Sequence, residues 1–422
     1  PASANQTVYV NTLAALNFNG IGGATAPTLA LGAPAAFSNH RLVISGAAAI
    51  TAVNDNYATT PTISGTFTSA SQSATLEFSN ASPVINVTGL SPQGLVIAAA
   101  ITQNAGQTGA LSKTGSGSLI LTNANSSWTT GLTVSAGSLI LGADSTPNTV
   151  GGAVTAGPVG TGTLTLAGGT SLLSDGTSRT LANAVALTGD ITFGGTASGH
   201  AVTLNGAISM GAANRTLTVS SPQVTATLGG TITGTGGLTK SGDGILVVSN
   251  SSNSYSGATN VTAGVLRIGS ATAIPAASSI VVSSGALFDL NGFSLTTPLL
   301  SGAGLVTNSA ASAATILVVG TGATDVTTTT DVSMGMALAD NYPANNASKL
   351  GVIKGGLGTL TFTNTNSVNY GDILIVAGKV TGSAANTFSP NATIVLGNAS
   401  TASAATPTAT LDVLSFDQTI GG

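Results

Sequence analysis

The sequence predicts an all-β chain, a right-handed parallel β-solenoid (β-helix) of irregular rungs. Three observations carry this. A lysine-headed motif recurs at Lys113, Lys240 and Lys354, and a recurring unit of this kind calls for an array before any other fold. Inside each copy, apolar residues alternate with unconstrained ones, the period of a strand with one buried face. Gly is abundant, at 56 of 422 residues, amid Thr, Ser and Asn, and no stretch shows sustained helical periodicity with capping signals. Right-handedness follows the general rule for crossovers between parallel strands.

The copies agree offset by offset. Each lysine precedes a glycine by 24 positions: Gly137, Gly264 and Gly378. Four after the lysine come Gly117, Gly244 and Gly358. Six after come Leu119, Leu246 and Leu360, and eight after come Leu121, Val248 and Phe362. Ten after come Asn123, Asn250 and Asn364. The position between the two apolar sites is Ile120, Val247 or Thr361, so only alternate positions face a core. The alternation returns at Leu132 and Val134, Thr259 and Val261, and Ile373 and Ile375. It returns again at Leu139 and Leu141, matched by Leu266 and Ile268, where Arg267 between them fits an outward side chain. Each copy reads as about three short strands with Gly, Asn and Ser corners. No copy closes a core alone; stacking on neighbours does so. The lysines are expected at corners, stem packed and ammonium in water. Trp128, Tyr255 and Tyr370 are expected to cover the core at corners, and the asparagines to stack as an internal ladder.

In chain order, residues 1–105 form a diverged N-terminal β region, either the start of the solenoid or its cap. Gln6 to Asn11, Arg41 to Ser45 and Ala74 to Phe78 read as its strands. Residues 106–422 form the repeat-bearing solenoid, read as truncated or continuing beyond the C-terminus. Residues 143–237 and 270–350 read as further rungs of weaker identity. The section from Asp325 to Lys349 contains Met334, Met336, Tyr342 and Pro343 and breaks the rhythm, so it is expected to project as a loop. At ~20–25 residues per turn, roughly 17–21 turns are expected. With about 4.8 Å between strands, that is a rod on the order of 80–100 Å.

The copies resemble the passenger-associated transport repeat of bacterial autotransporter-type surface proteins. The second copy carries the resemblance best, through Leu238, Lys240, Gly242, Gly244, Leu246, Asn253, Tyr255, Gly257, Val261, Ala263, Gly264 and Leu266. The first copy has Trp128 in place of the tyrosine, and the third runs Asn369-Tyr370-Gly371 without a spacer. Asp289 and Phe293 are echoed by Asp412 and Phe416 in a linking segment of the same style. The resemblance spans roughly residues 106–422. It implies a parallel β-helix at the cell surface and no particular activity.

Composition narrows the function. Lys and Arg number 9, Asp and Glu 13, the net charge is −4, and hydrophobic residues make up 42 %. That is not the composition of a disordered chain. It also lacks the basic stripe that nucleic acid requires. No apolar run reaches the length of a membrane helix, and without cysteine there is neither a disulfide framework nor a thiolate metal site. Asp325, Asp331, Asp340 and Tyr342 mark a candidate binding loop. The Asp-x-Asp-x-Asp-Gly spacing of a calcium loop is absent there, so these carboxylates read as solvated. Asn54-Asp55-Asn56 reads as turn chemistry. His40 and His200 have no Gly-x-Ser-x-Gly elbow to serve. Glu77 is the sole glutamate, and the aspartates are scattered, which leaves little for a two-carboxylate glycosidase. No catalytic residue, cofactor or metal ligand is assigned.

The expected function is that of a non-enzymatic extracellular structural protein, a rod that self-associates into filaments or a cell-surface coat. The alternative is an adhesin stalk presenting residues 325–349 to a surface or glycan. A polysaccharide-active enzyme ranks third.

Overall fold

The computed structural model describes residues 8–20, 25–32, 39–66, 73–195, 200–310, 315–319, 332–334, 337–340, 349–355, 357–365, 371–397 and 409–414. Every regular element among them is a strand, and the strands pair in long parallel sheets. The fold is a parallel β-solenoid. The chain divides into two units, Pro1–Ser209 and Met210–Gly422.

In the first unit each early turn has three strands. Val8–Leu13, Leu16–Gly20 and Thr28–Gly32 are followed by Asn39–Ile44, Ala48–Asn54 and Thr62–Thr66. Each strand pairs in parallel with its counterpart one turn later, as in Val8 with Asn39, Leu16 with Ile50 and Thr28 with Thr62. The ladder crosses residue 105 through the pairing of Ser112 with Val84. Beyond Leu141 the chain leaves the ladder, makes an antiparallel bridge between Thr146 and Ala156, and rejoins at Leu164–Leu166.

The repeat copies differ from the expected three strands each. The first consists of four: Leu111–Thr114, Ser118–Leu121, Leu132–Val134 and Ser138–Leu141. Leu111 pairs with Leu132, and Leu119 with Leu139. A copy is therefore two strands stacked directly on two more, one turn and the next. The second copy repeats this, with Leu238 on Thr259 and Leu246 on Leu266. The third does likewise, with Val352 on Ile373 and Leu360 on Val380. A turn of this kind takes 21 residues, the separation across which Asn250 bonds to the preceding turn. The patterning looked like a single unit because two stacked turns with similar corners repeat the same alternation.

The inner faces of the strands are mainly aliphatic. In one register column, in which Lys113 stands between Ile85 and Val134, the aliphatic residues Ile50, Ile85, Val134 and Leu166 are wholly buried. Burying each such side chain is worth about 1.5–3 kcal/mol. Outward positions hold mostly small polar residues, such as Ser112, Thr133 and Thr165 in one column.

The second unit brings one further correction. The segment expected to project as a loop contains two strands, Val332–Met334 and Ala337–Asp340, whose backbones pair with the turn before through Gly302 and Leu305. Asp340 stands in strand register with Asn308. Asp325, Asp331 and Tyr342 lie outside the described residues, as does Tyr370.

Candidate functional site

The defining residue of the repeat is buried. Lys113 and Lys240 have no solvent exposure and Lys354 has 2 %. Each occupies an inward position within an aliphatic column. Lys113 lies between Ile85 and Val134, Lys240 between Leu217 and Val261, and Lys354 between Val319 and Ile375. This corrects the expectation of an ammonium in water. The stem packs in the core and the charged end meets the backbone of the corner.

Backbone geometry explains the arrangement. Gly115 and Gly137 both have positive φ, 76° and 69°. These left-handed residues turn peptide carbonyls into the corner, away from any ladder partner, and buried carbonyls require donors. The Lys113 Nζ donates to Thr114 O at 3.2 Å and Gly115 O at 2.6 Å in its own corner, and to Ala136 O at 2.8 Å in the corner one turn on. Lys240 does the same with Ser241, Gly242 and Ala263, at 2.9, 2.6 and 3.0 Å. An ammonium carries three donors, and three carbonyls await them. Lys354 donates to Gly355 O. The lysine thus bolts two successive corners together. Burial lowers the pKa of Lys113 and of Lys240 to about 8.

The glycine that closes the motif is required by both φ and space. A Cβ on Gly137 would lie 2.5 Å from Gly117 O and 2.6 Å from the Lys113 Nζ. The fixed separation of lysine and glycine is therefore one turn plus the offset between facing corners.

Asn123 and Asn250 fasten a different corner, and each bonds to backbone of the preceding turn rather than to another asparagine there. The Asn123 Nδ2 donates to Ala98 O on the preceding turn at 2.9 Å, while its Oδ1 accepts from the backbone N–H of Asn125. Asn250 repeats both contacts, with Gly229 and Ser252. Each asparagine is half-buried at the start of the polar turn. Trp128 is fully buried and donates through Nε1 to Gly131 O; Tyr255 is 1 % exposed and shares its hydroxyl with Thr259. Neither ring presents a face for a sugar to stack on.

Charged residues are mostly engaged. Glu77 accepts from Arg41, Thr102 and Asn104. Burial alone would raise its pKa; the hydrogen bonds and the guanidinium charge outweigh it and hold the carboxyl below its usual value. Asp289 is 1 % exposed and accepts from Arg267 Nε at 2.7 Å, from Ser309 Oγ at 2.6 Å, and from the backbone N–H groups of Asn291 and Ser309. Asp412 repeats the pattern more openly, with Lys379 and the N–H of Leu414. The echo between Asp289 and Asp412 in the sequence thus corresponds to one device, an aspartate that caps its own turn and holds a cation from the strand before. Sequence reasoning placed Arg267 outward but had no means to see its partner 22 residues on. Among the described residues, no three His, Cys, Asp or Glu side chains gather as metal ligands. His40 lies on the strand Asn39–Ile44 and His200 at a half-buried position before Val202–Leu204.

The second unit has an open groove of about 350 Å³ across the strands Thr315–Val319, Leu350–Lys354, Ile373–Ile375 and Ile394–Leu396. Its floor is aliphatic, with Ile353, Leu374 and Val395 in register on adjacent strands. Exposed Lys349 and Asp372 stand at its rim.

Comparison with known proteins agrees with this anatomy. Residues 111–141 and 238–268 match the passenger-associated-transport-repeat. These limits are those of the four-strand, two-turn unit, from Leu111 to Leu141 and from Leu238 to Ile268. Over 181 residues the chain is 33 % identical to a protein called Adhesin BmaC autotransporter, from Brucella suis biovar 1 (strain 1330). The aligned stretch is 43 % of this chain and 5 % of that protein, so the chain corresponds to a small part of its relative's length. No solved structure matches the chain.

Proposed function

We propose that this chain, an autotransporter passenger-type protein, is a stretch of a surface-exposed adhesin stalk with a mechanical, non-enzymatic role. The observation that carries the reading is the repeat unit itself. Its limits coincide with those of the passenger-associated-transport-repeat, and its side chains are spent on fastening turns to one another. The relative named as an adhesin favours adhesion over a coat alone. The sole glutamate and the buried Asp289 are saturated with donors, which disfavours an acid–base role for either. The candidate contact segment is residues 341–348, which lie in the chain between the strands Ala337–Asp340 and Leu350–Lys354. Beads coated with the purified chain should be retained on a cultured epithelial monolayer several-fold above albumin-coated beads. Replacing residues 341–348 with a Gly-Ser linker should remove that excess. Retention equal to albumin contradicts the reading.

A second reading, lateral self-association, is favoured by one observation. The groove of the second unit exposes aliphatic side chains on an outward face, and the chain has few charges to keep copies apart. Sedimentation of the purified chain over a range of concentrations tests it, and a monomer throughout rejects it.

A further inference from the structure

Outward columns elsewhere include ones built of Thr and Ser, as in Ser112, Thr133 and Thr165. The column through Ile353, Leu374 and Val395 is aliphatic at three successive strands. Leu374 and Ile353 are half-buried, and Val395 is 41 % exposed. A second aliphatic column, Ile245, Val265, Leu287 and Leu305, is also half-buried. Beside the first column lies a notch. Gly351 takes the outward position two residues before Ile353, and a Cβ there would lie 3.1 Å from the Asp372 carbonyl oxygen on the next strand's approach. Lys349 stands outward two residues earlier still, on the same strand line. One face therefore combines an aliphatic ridge, an adjoining hollow, and one charge of each sign.

We propose that this face is the contact between two copies of the chain, packed sheet to sheet about a two-fold axis. The inference deepens the self-association reading and rests on it. A two-fold contact must be self-complementary, since the same patch meets itself. An axis parallel to the strands, running between Leu350–Lys354 and Ile373–Ile375, satisfies that condition. It sets Ile353 of one copy against Leu374 of the other at the usual sheet separation of about 10 Å. It also brings Lys349 of each copy to Asp372 of the other, two opposite-charge contacts at the rim. Charged residues make up only 5 % of the chain, so an exposed cation and anion on one rim give the face a polarity that matches its own image. The two copies lie antiparallel, an arrangement that closes as a dimer rather than growing as a filament.

Sedimentation equilibrium of the full chain tests this, with circular dichroism as the check on folding. The wild type should form a dimer. Leu374→Asp should be monomeric with an unchanged spectrum, because its side chain faces outward. Lys349→Asp and Asp372→Lys should each weaken the dimer at least tenfold, and the double exchange should restore most of it. A wild-type monomer overturns both the face and the self-association reading. A wild-type oligomer that survives Leu374→Asp and both single exchanges overturns the face alone, since the copies then associate elsewhere.

Discussion

A lysine between Ile85 and Val134 would ordinarily count as an error in a core. Here its ammonium answers a need that the turn geometry creates. Two positive-φ glycines bring carbonyls into one small volume, and only a long side chain with three donors reaches all of them. Lys113→Met keeps the stem and removes the donors, leaving the carbonyls unpaired. It should lower the unfolding free energy by about 2–4 kcal/mol, the scale for orphaned buried polar groups. Lys240→Met should do the same, each read from chemical denaturation. The pH dependence gives an independent signature. In the folded chain burial brings both ammonium groups down to a pKa of about 8, against an ordinary lysine value of 10.5. Above pH 8 the folded chain sheds protons that the unfolded chain still holds. Unfolding free energy should therefore rise with pH between 8 and 10.5 in the wild type, relative to the double methionine variant. Equal slopes for the two proteins would contradict the assignment.

At the scale of the element, the repeat is a pair of stacked turns. The motif glycine is where one turn touches the other, and Gly137→Ala should cost about 2–4 kcal/mol. The added methyl must hold a left-handed φ and displace a carbonyl or the lysine. Thermal unfolding of this variant beside Gly151→Ala separates the two contributions. Gly151 shares the positive φ but has nothing within 4 Å of an added Cβ, so it should lose less. Much of this element was legible in the sequence. Alternation at Leu119 and Leu121 gave the strands, and the constant spacing of Lys113 and Gly137 showed that they belong to one device. What the spacing could not reveal was that the two halves lie one above the other. A 21-residue turn and its successor present the same alternation, and only the register of Leu111 on Leu132 distinguishes two short turns from one long one. Burial of the lysine was hidden for a related reason. Charge argues for water, and the carbonyls that override it are backbone atoms, which leave no mark in side-chain composition. The same holds for Asp289, whose partners Arg267 and Ser309 lie about a turn away in sequence on either side.

Across the molecule, polar side chains fasten one turn to the next. Lysines bolt corners, asparagines tie polar turns to the turn before, and aspartates hold cations across neighbouring strands. A solenoid is stabilised by contacts between successive turns, so devices that link one turn to the next are where its stability concentrates. The central claim is that the repeat lysines face inward and clamp the backbone. Mapping of acetylated lysines by mass spectrometry, after brief treatment of the native chain with an amine-reactive reagent at neutral pH, tests it most directly. Lys349 and Lys379, which are exposed or partly so, should be modified, while Lys113, Lys240 and Lys354 should be spared until the chain is unfolded. Modification of Lys113 and Lys240 in the native chain as fast as Lys349 would contradict the account.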